Sequence, residues 1–180
     1  MATIHVLDET TINKIAAGEV VERPASVIKE LIENSIDASS TNIEIEIGDG
    51  GVAYMRITDN GIGMTEEDAR LAILRHATSK IQKVEDLFDI ASLGFRGEAL
   101  ASIASVSHFS LTTRKADSDL GTRITVDGGT FTDCIPYGAA PGTTIEIRDL
   151  FYNTPARRKF LKSERTESSK IQDIVVKLAL

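Results

Sequence analysis

The sequence predicts an α+β fold, a two-layer sandwich in which helices cover one face of a mixed, mostly antiparallel sheet. Three observations support this fold class. Helical spacing of apolar residues comes first in the chain, a strictly alternating segment follows it, and four more strand patterns come late, after further helices. With 180 residues, 42% of them hydrophobic, the chain is long and apolar enough for one domain with a buried core.

The first two predicted elements are helices. Residues 12–17 form a short one, which we expect to stop at Gly18. A stronger helix begins at Pro24, a residue favoured at the first helical position, and ends near Ala38. Its apolar residues recur at helical spacing and predict the buried face: Val27, Ile28, Leu31, Ile32 and Ile36.

A β-hairpin follows these helices. Residues 42–48 alternate between isoleucine and glutamate, which is typical of a half-buried strand. Residues 52–58 form the second strand, and the glycine-rich residues 48–51 between them are typical of a tight hairpin.

The rest of the chain alternates between helical and strand patterns. We predict helices over 66–75, 98–105, 155–161 and 164–180, and strands over 107–114, 121–127, 130–135 and 143–148. The last helix is still apolar at Leu180, without a capping residue, so we expect the sequence to be a fragment of a longer protein.

Composition excludes several classes of protein. Charged residues make up 26% and prolines number four, which argues against disorder. No apolar run approaches the roughly 20 residues that span a bilayer, and the N-terminus lacks the basic and apolar regions of a secretory signal. Cys134 is the only cysteine, which excludes an intramolecular disulfide and a cysteine-rich metal site. We therefore expect a cytoplasmic location and no membrane partner.

The net charge of −7 disfavours nucleic acid as the main partner of this domain. The charge is uneven, however, because residues 148–170 contain seven lysines and arginines against three acidic residues. This basic segment is either a DNA contact or the solvated face of a helix.

The first candidate site segment lies on the second helix. Glu30 and Asn34 are one turn apart on the same face, bordered by Glu33 and Asp37. Such a polar stripe is often only solvated. Asparagine is nevertheless a poor residue for a helix interior, and its carbonyl oxygen suits Mg²⁺, which often takes one or two protein ligands. A carboxylate one turn away is placed to polarise a water molecule.

The second segment, Asp59-Asn-Gly-Ile-Gly-Met64, follows a strand. An Asp-Asn-Gly sequence commonly forms a turn, but here Thr65 and Asp68 have the spacing of a capping box and a helix follows. Glycines in such a loop let the backbone approach a flat ligand. A carboxylate at the strand end accepts from the amino group of adenine and is mismatched with the carbonyl of guanine. Turn and site both remain open at this point.

The third segment, Gly94-Phe-Arg-Gly-Glu-Ala-Leu100, opens a helix. Free backbone N–H groups at a helix N-terminus attract anions such as phosphate, although a plain loop and cap has the same pattern. Thr78, Ser79 and Lys80 lie upstream in a polar segment that we expect to form a mobile lid over about 75–97. Thr143, at a strand start, gains interest only beside the other segments.

Together these segments, in this order and spacing, resemble the GHKL ATPase superfamily. Three longer stretches resemble the N-terminal signature of the MutL mismatch-repair family: residues 15–38, 94–103 and 149–160. The resemblance implies the Bergerat fold and the cofactors ATP and Mg²⁺. Glu30 is then the catalytic general base, and Asn34 the Mg²⁺ ligand. Adenine is then bound by Asp59 with Gly61, Gly63, Met64 and Thr143 around it. The phosphates are then surrounded by the lid residues Thr78, Ser79, Lys80, Gly94, Phe95, Arg96, Gly97, Glu98, Ala99 and Leu100.

The resemblance also implies a function. Members of this family are weakly hydrolysing Mg-ATP switches of DNA mismatch repair, in which ATP drives N-terminal dimerisation. Their partners are a mismatch-recognition protein, a nicking endonuclease and a helicase, and the bacterial members are cytoplasmic or nucleoid-associated. Residues 1–180 then form the ATPase domain alone, without the transducer and C-terminal dimerisation domains that contact DNA, so we expect slow or impaired turnover. The alternatives are a nucleotide-binding interaction module without turnover and a kinase that transfers phosphate to histidine.

Overall fold

A computed structural model describes residues 5–74 and 98–180, apart from the side chains of Glu9, Thr10 and Asn13. Its strands form one sheet in the order β1-β2-β6-β3-β4-β5, and every pairing in the described part of the chain is antiparallel. The strands are β1 (Ile43–Gly48), β2 (Tyr54–Asp59), β3 (His108–Arg114), β4 (Gly121–Asp127), β5 (Thr130–Tyr137) and β6 (Gly142–Arg148). The α+β fold class is confirmed.

Six α-helices accompany the sheet in the described ranges. They are α1 (Glu9–Val20), α2 (Pro24–Asp37), α3 (Glu66–Ala72), α4 (Ala99–Ser105), α5 (Pro155–Phe160) and α6 (Glu164–Ala179). Side-chain caps explain where several begin. Asp8 accepts from the backbone of Thr11 at the start of α1, and Ser163 accepts from Thr166 at the start of α6. Thr65, predicted to cap α3, does so: its hydroxyl accepts from the backbone N–H of Asp68 and donates to the Asp68 carboxylate, although this is not the backbone bond of a full capping box.

The core lies between the sheet and the helices. Cross-strand rows of apolar residues face α2 and α4, as in the row Met55, Ile147, Phe109 and Val126, all of them buried. Residues that alternate with these point to the other face of the sheet, where Glu44, Glu46, Arg148 and Asp127 are exposed. One face of the sheet therefore carries the helices, as the alternation in β1 predicts.

The predicted hairpin is confirmed, with a longer connection than a tight turn. Ile43 pairs with Asp59 and Gly48 with Tyr54, and a 3₁₀ turn over Asp49–Gly51 lies between the strands. Strand β5 extends two residues further than predicted, through Pro136 to Tyr137. Proline is tolerated there because β5 is an edge strand and needs no donor on its outer side.

Two details of the predicted helices are wrong. Helix α1 does not stop at Gly18 but continues to Val20. The glycine instead leaves room for the guanidinium of Arg157 from α5, which a Cβ at position 18 would meet. Ile36 is 50% exposed, whereas Glu33 is buried at 7% exposure and forms an ion pair of 2.9 Å with Lys29 one turn earlier. The buried face of α2 is therefore rotated slightly toward Glu33. None of the helices in the described ranges has the length and apolar character needed to cross a membrane.

Candidate functional site

The site is centred on Asp59, the last residue of β2. Its Oδ1 accepts from the backbone N–H of Gly61 at 2.9 Å and from that of Thr143 at 3.3 Å. Its Oδ2 accepts from the hydroxyl of Ser35 at 2.9 Å. A carboxylate has about four acceptor positions. These three bonds fix its orientation and leave it able to accept from one more donor, such as an amino group.

The loop after Asp59 is not a hairpin turn, since the strands on either side of β2 are β1 and β6 and the chain continues into α3. Its backbone is tied to the segment that follows α2. Asn60 Oδ1 accepts from the N–H groups of Thr41 and Asn42, both at 2.9 Å, and the N–H of Ile62 donates to the carbonyl of Ala38 at 3.0 Å. The strand order therefore excludes a hairpin at this loop.

Glycines let three chain segments meet at Asp59. A side chain on Gly61 would lie 2.7 Å from the carbonyl oxygen of Ala38. Gly142 has a φ of +118°, and a side chain there would collide with the backbone carbonyl of Asp59. Both positions exclude any larger residue, which explains why the strand ends lie so close together.

Thr113, on β3, joins the loop to β6. Its hydroxyl accepts from the N–H of Met64 at 2.9 Å, donates to the carbonyl of Gly142 at 3.1 Å and lies 3.0 Å from the hydroxyl of Thr143. Thr113 is only 1% exposed. Because its bonds are shielded from water, this hydroxyl holds Met64 and Thr143 in a fixed arrangement.

Helix α2 carries both Glu30 and Asn34. Both are half-buried, one turn apart on α2. Asn34 precedes Ser35, whose bond to Asp59 connects the helix to the sheet. The structure thus links the first and second predicted segments through Ser35.

The third predicted segment is described only in part. Glu98 is the N-cap residue of α4, Ala99 and Leu100 form its first turn, and α4 packs against α1 and touches β3 and β4. Thr78, Ser79, Lys80, Gly94, Phe95, Arg96 and Gly97, together with the predicted lid, lie outside the described residues.

No group of three or more His, Cys, Asp or Glu residues in ranges 5–74 and 98–180 is arranged to hold a metal ion. A transition-metal centre built from such residues is therefore absent from these ranges. The chemistry of Asn34 fits Mg²⁺ instead, because that ion is commonly held by one or two protein oxygens, with phosphate and water as the other ligands.

A second polar cluster lies at the opposite end of the sheet. Asp127 Oδ1 accepts from the hydroxyl of Tyr152 at 2.6 Å and lies 2.8 Å from Nδ1 of His108, and the two rings stack with centroids 4.2 Å apart. The hydrogen bond from Tyr152 is the main cause of the lowered pKa of Asp127, and it outweighs the opposing effect of burial. Burial and the bond to Asp127 raise the pKa of Tyr152 to about 12.

Sequence reasoning missed two residues of the site, Ser35 and Thr113. Ser35 adjoins Asn34 on α2, and Thr113 is a buried polar residue on β3, on the same face as the buried Phe109 and Leu111. Both act through contacts with residues 24 to 49 positions away in the chain, which local patterns do not reveal. The sequence offers one local sign of each residue: a hydroxyl side chain at a position that the spacing of the neighbouring apolar residues places on the buried face.

Comparison with known proteins points to one family. Residues 22–130 match the family described as "Histidine kinase-, DNA gyrase B-, and HSP90-like ATPase". The chain is 59% identical over 180 residues to the DNA mismatch repair protein MutL of Thermoanaerobacter pseudethanolicus, covering 100% of this chain and 29% of that relative. It is 56% identical over 177 residues to MutL of Xanthomonas axonopodis pv. citri, covering 98% of this chain and 28% of that relative.

A solved structure agrees with these sequence relatives. The Aquifex aeolicus MutL ATPase domain complexed with ADP has a TM-score of 0.66 and 37% sequence identity, covering 87% of this chain and 54% of that chain. The present chain spans less than a third of the length of the two curated relatives named above.

Proposed function

The chain belongs to the histidine kinase-, DNA gyrase B- and HSP90-like ATPase family and, within it, to the MutL group, and on that premise we propose that it binds ATP with Mg²⁺ as the switch domain of a mismatch-repair protein. The resemblance recognised in the sequence is thereby confirmed. Residues 1–180 are, in this proposal, the ATPase domain of a longer protein.

The arrangement around Asp59 is the observation that carries the proposal. Three donors orient its carboxylate, and it retains the capacity to accept from an exocyclic amino group. Adenine has an amino group at that position and guanine a carbonyl oxygen, so the carboxylate selects adenine. In this proposal Gly61, Gly63, Met64 and Thr143 line the same pocket.

The phosphate end of the nucleotide is assigned to α2, α4 and the segment before α4. Asn34 would hold Mg²⁺ through its side-chain oxygen, and the ion would supply charge neutralisation of the phosphates. Glu30, one turn away on α2, acts as the general base that takes a proton from the attacking water. Glu98, Ala99 and Leu100 belong to the phosphate site at the start of α4, with Thr78, Ser79, Lys80 and residues 94–97 from outside the described ranges.

The wider function follows from the family. ATP binding would drive N-terminal dimerisation, and the dimer would act on a mismatch-recognition protein, a nicking endonuclease and a helicase. DNA contacts would come mainly from other domains, and turnover by this chain alone would be slow or impaired. A cytoplasmic or nucleoid-associated location is part of the same proposal. The second candidate function is a nucleotide-binding interaction module without turnover.

Calorimetric titration of the chain with ADP and GDP tests the proposal. We expect ADP to bind and GDP to bind far more weakly. Asp59→Asn should abolish ADP binding, because its NH2 group replaces one acceptor oxygen and then faces either the two backbone N–H groups at Oδ1 or the Ser35 hydroxyl at Oδ2. Asp119→Asn, at an exposed position, is the matched control and should bind ADP as the unmodified chain does. Equal affinity of Asp59→Asn and the unmodified chain would reject Asp59 as the purine-reading residue.

A further inference from the structure

An arginine from late in the sequence contacts the junction between α1 and α2. Arg157, on α5, donates from Nη1 to the backbone carbonyl of Val21 at 2.8 Å. Val21 is the C-cap residue of α1 and lies three positions before Pro24, where α2 begins. The guanidinium therefore caps one helix immediately before the helix that carries Glu30 and Asn34.

The guanidinium is enclosed on two sides. Gly18 lies on one side, and because glycine has no Cβ, it leaves the space that the guanidinium occupies; any Cβ there would collide with the guanidinium. The ring of Phe151, which is fully buried, lies 6.0 Å from the guanidinium carbon on another side. A flat, delocalised cation suits this slot, and the ammonium of lysine fits it less well.

The bond from Arg157 to Val21 removes one charge from the exposed basic segment. Arg157 is one of the seven basic residues of 148–170, yet its guanidinium is directed at the protein's own backbone. Its neighbour Arg158 is exposed on the same short helix. The two adjacent arginines therefore have different surroundings, and only Arg158 is placed like a surface charge.

A second contact holds the same junction. Glu167 on α6 is 1% exposed and lies 3.9 Å from the guanidinium of Arg23, the residue before Pro24. Its Oε1 also accepts from the N–H of Lys162 at 2.9 Å. The segment from α5 to α6 thus contacts the α1–α2 junction at Val21 and at Arg23.

Helix α1 in turn packs against α4, whose first turn contains Glu98, Ala99 and Leu100. We propose that Arg157 is a positioning residue for the phosphate end of the nucleotide site, acting through the C-terminus of α1 on α4 and on the start of α2. The adenine end depends on it less, because the backbone N–H groups of Gly61 and Thr143, which hold Oδ1 of Asp59, belong to neither α1 nor α2. This inference rests on the proposed function for its ligand, but the contact itself does not.

A double-mutant cycle tests the contact by thermal unfolding. In the unmodified chain Gly18→Ala should lower Tm, because the new methyl group displaces the guanidinium. In the Arg157→Ala background the same change should raise Tm, because the space is empty and alanine favours a helix more than glycine does. An effect of Gly18→Ala with the same sign and size in both backgrounds would overturn the contact.

Binding of ATP and of adenosine to the same variants tests the positioning role. Arg157→Ala should weaken ATP binding at least about tenfold while adenosine affinity changes less than about twofold, because a small displacement of positioning groups affects only the phosphate end. Arg157→Lys, which keeps one donor and the charge, should recover part of the lost ATP affinity. Arg158→Ala removes an equal charge and should change neither affinity.

Equal loss of ATP and adenosine affinity in Arg157→Ala would show a merely structural role and reject the proposal. Equal loss of ATP affinity in Arg157→Ala and Arg158→Ala would show a general effect of charge and reject it as well. If the unmodified chain binds neither ligand, the proposed nucleotide function fails and the positioning role fails with it, while the unfolding cycle still decides whether Arg157 caps α1.

Discussion

The hydroxyl of Ser35 donates a hydrogen bond of 2.9 Å to Oδ2 of Asp59, and this bond joins the helix with the proposed catalytic base to the strand that ends at the proposed purine-binding residue. Ser35 is 3% exposed, so water does not compete strongly for the bond. The two residues are 24 positions apart in the chain. Because of this contact, the position of α2 relative to β2 helps to set the orientation of the Asp59 carboxylate.

Removing this hydroxyl gives the first prediction. Ser35→Ala leaves Oδ2 of Asp59 without its donor, and we expect a loss of about 1 kcal/mol in stability and about fivefold in ADP affinity. Urea unfolding and calorimetry measure the two effects. Ser26→Ala, at a half-buried position on the same helix, is the control and should change ADP affinity little. Unaltered ADP affinity in Ser35→Ala would show that the bond does not orient Asp59 for the ligand.

The second prediction concerns Gly142, whose φ of +118° disfavours any L-residue. Gly142→Ala also places a methyl group against the backbone carbonyl of Asp59, so we expect a loss of about 2 kcal/mol in stability together with loss of ADP binding. Gly138→Ala is the matched control, because no atom lies within 4 Å of a Cβ at that position. Its stability should change by no more than about 0.5 kcal/mol. Similar stabilities of the two variants would contradict the close approach of β6 to Asp59.

Sequence patterns predicted the elements of this fold well because each has a strong local period. Proline at the start of α2 and the alternation in β1 needed no distant contact to be interpreted. Gly18 was misread as a helix end because the reason for a glycine there, the guanidinium of Arg157, comes from 139 positions later. Ser35 and Thr113 were missed for the same reason. Their hydroxyls acquire a role only when α2, β3 and β6 come together in the fold.

The third prediction uses the cluster of His108, Asp127 and Tyr152. The pKa of Tyr152 is raised from 10.0 to about 12, so between these pH values the folded chain keeps a proton that the unfolded chain has lost. The stabilisation is fully present below pH 10 and is lost as the pH rises through about 12. Tyrosinate absorbance should show one residue titrating near pH 12, and the unfolding free energy should fall across this range.

Tyr152→Phe should remove both the late tyrosinate step and the corresponding loss of stability. The same variant removes the main cause of the lowered pKa of Asp127, so that pKa should move back toward its ordinary value. In the unmodified chain, ionised Asp127 stabilises the fold at pH values above its ordinary pKa, and this stabilisation is lost as the pH falls through its lowered pKa. In Tyr152→Phe the loss of stability at acid pH should therefore be smaller. Tyr54→Phe is the control and should retain the late step. A wild-type titration without a late tyrosine would contradict the Asp127–Tyr152 bond.

The last prediction separates nucleotide binding from turnover at Glu30. Glu30→Gln keeps the shape of the side chain and removes its ability to accept a proton, so nucleotide affinity should be retained while hydrolysis falls at least about a hundredfold. Because this chain spans less than a third of its curated relatives, phosphate release should be measured both here and in a full-length relative with the corresponding change. Glu44→Gln, on the exposed face of the sheet, removes an equal charge and should leave hydrolysis unchanged. Turnover at the unmodified rate in Glu30→Gln would exclude Glu30 as the base.

A different outcome would separate binding from hydrolysis. If the unmodified chain binds ADP without turnover while the full-length relative hydrolyses ATP normally, the domain binds nucleotide alone and needs the rest of the protein to hydrolyse it.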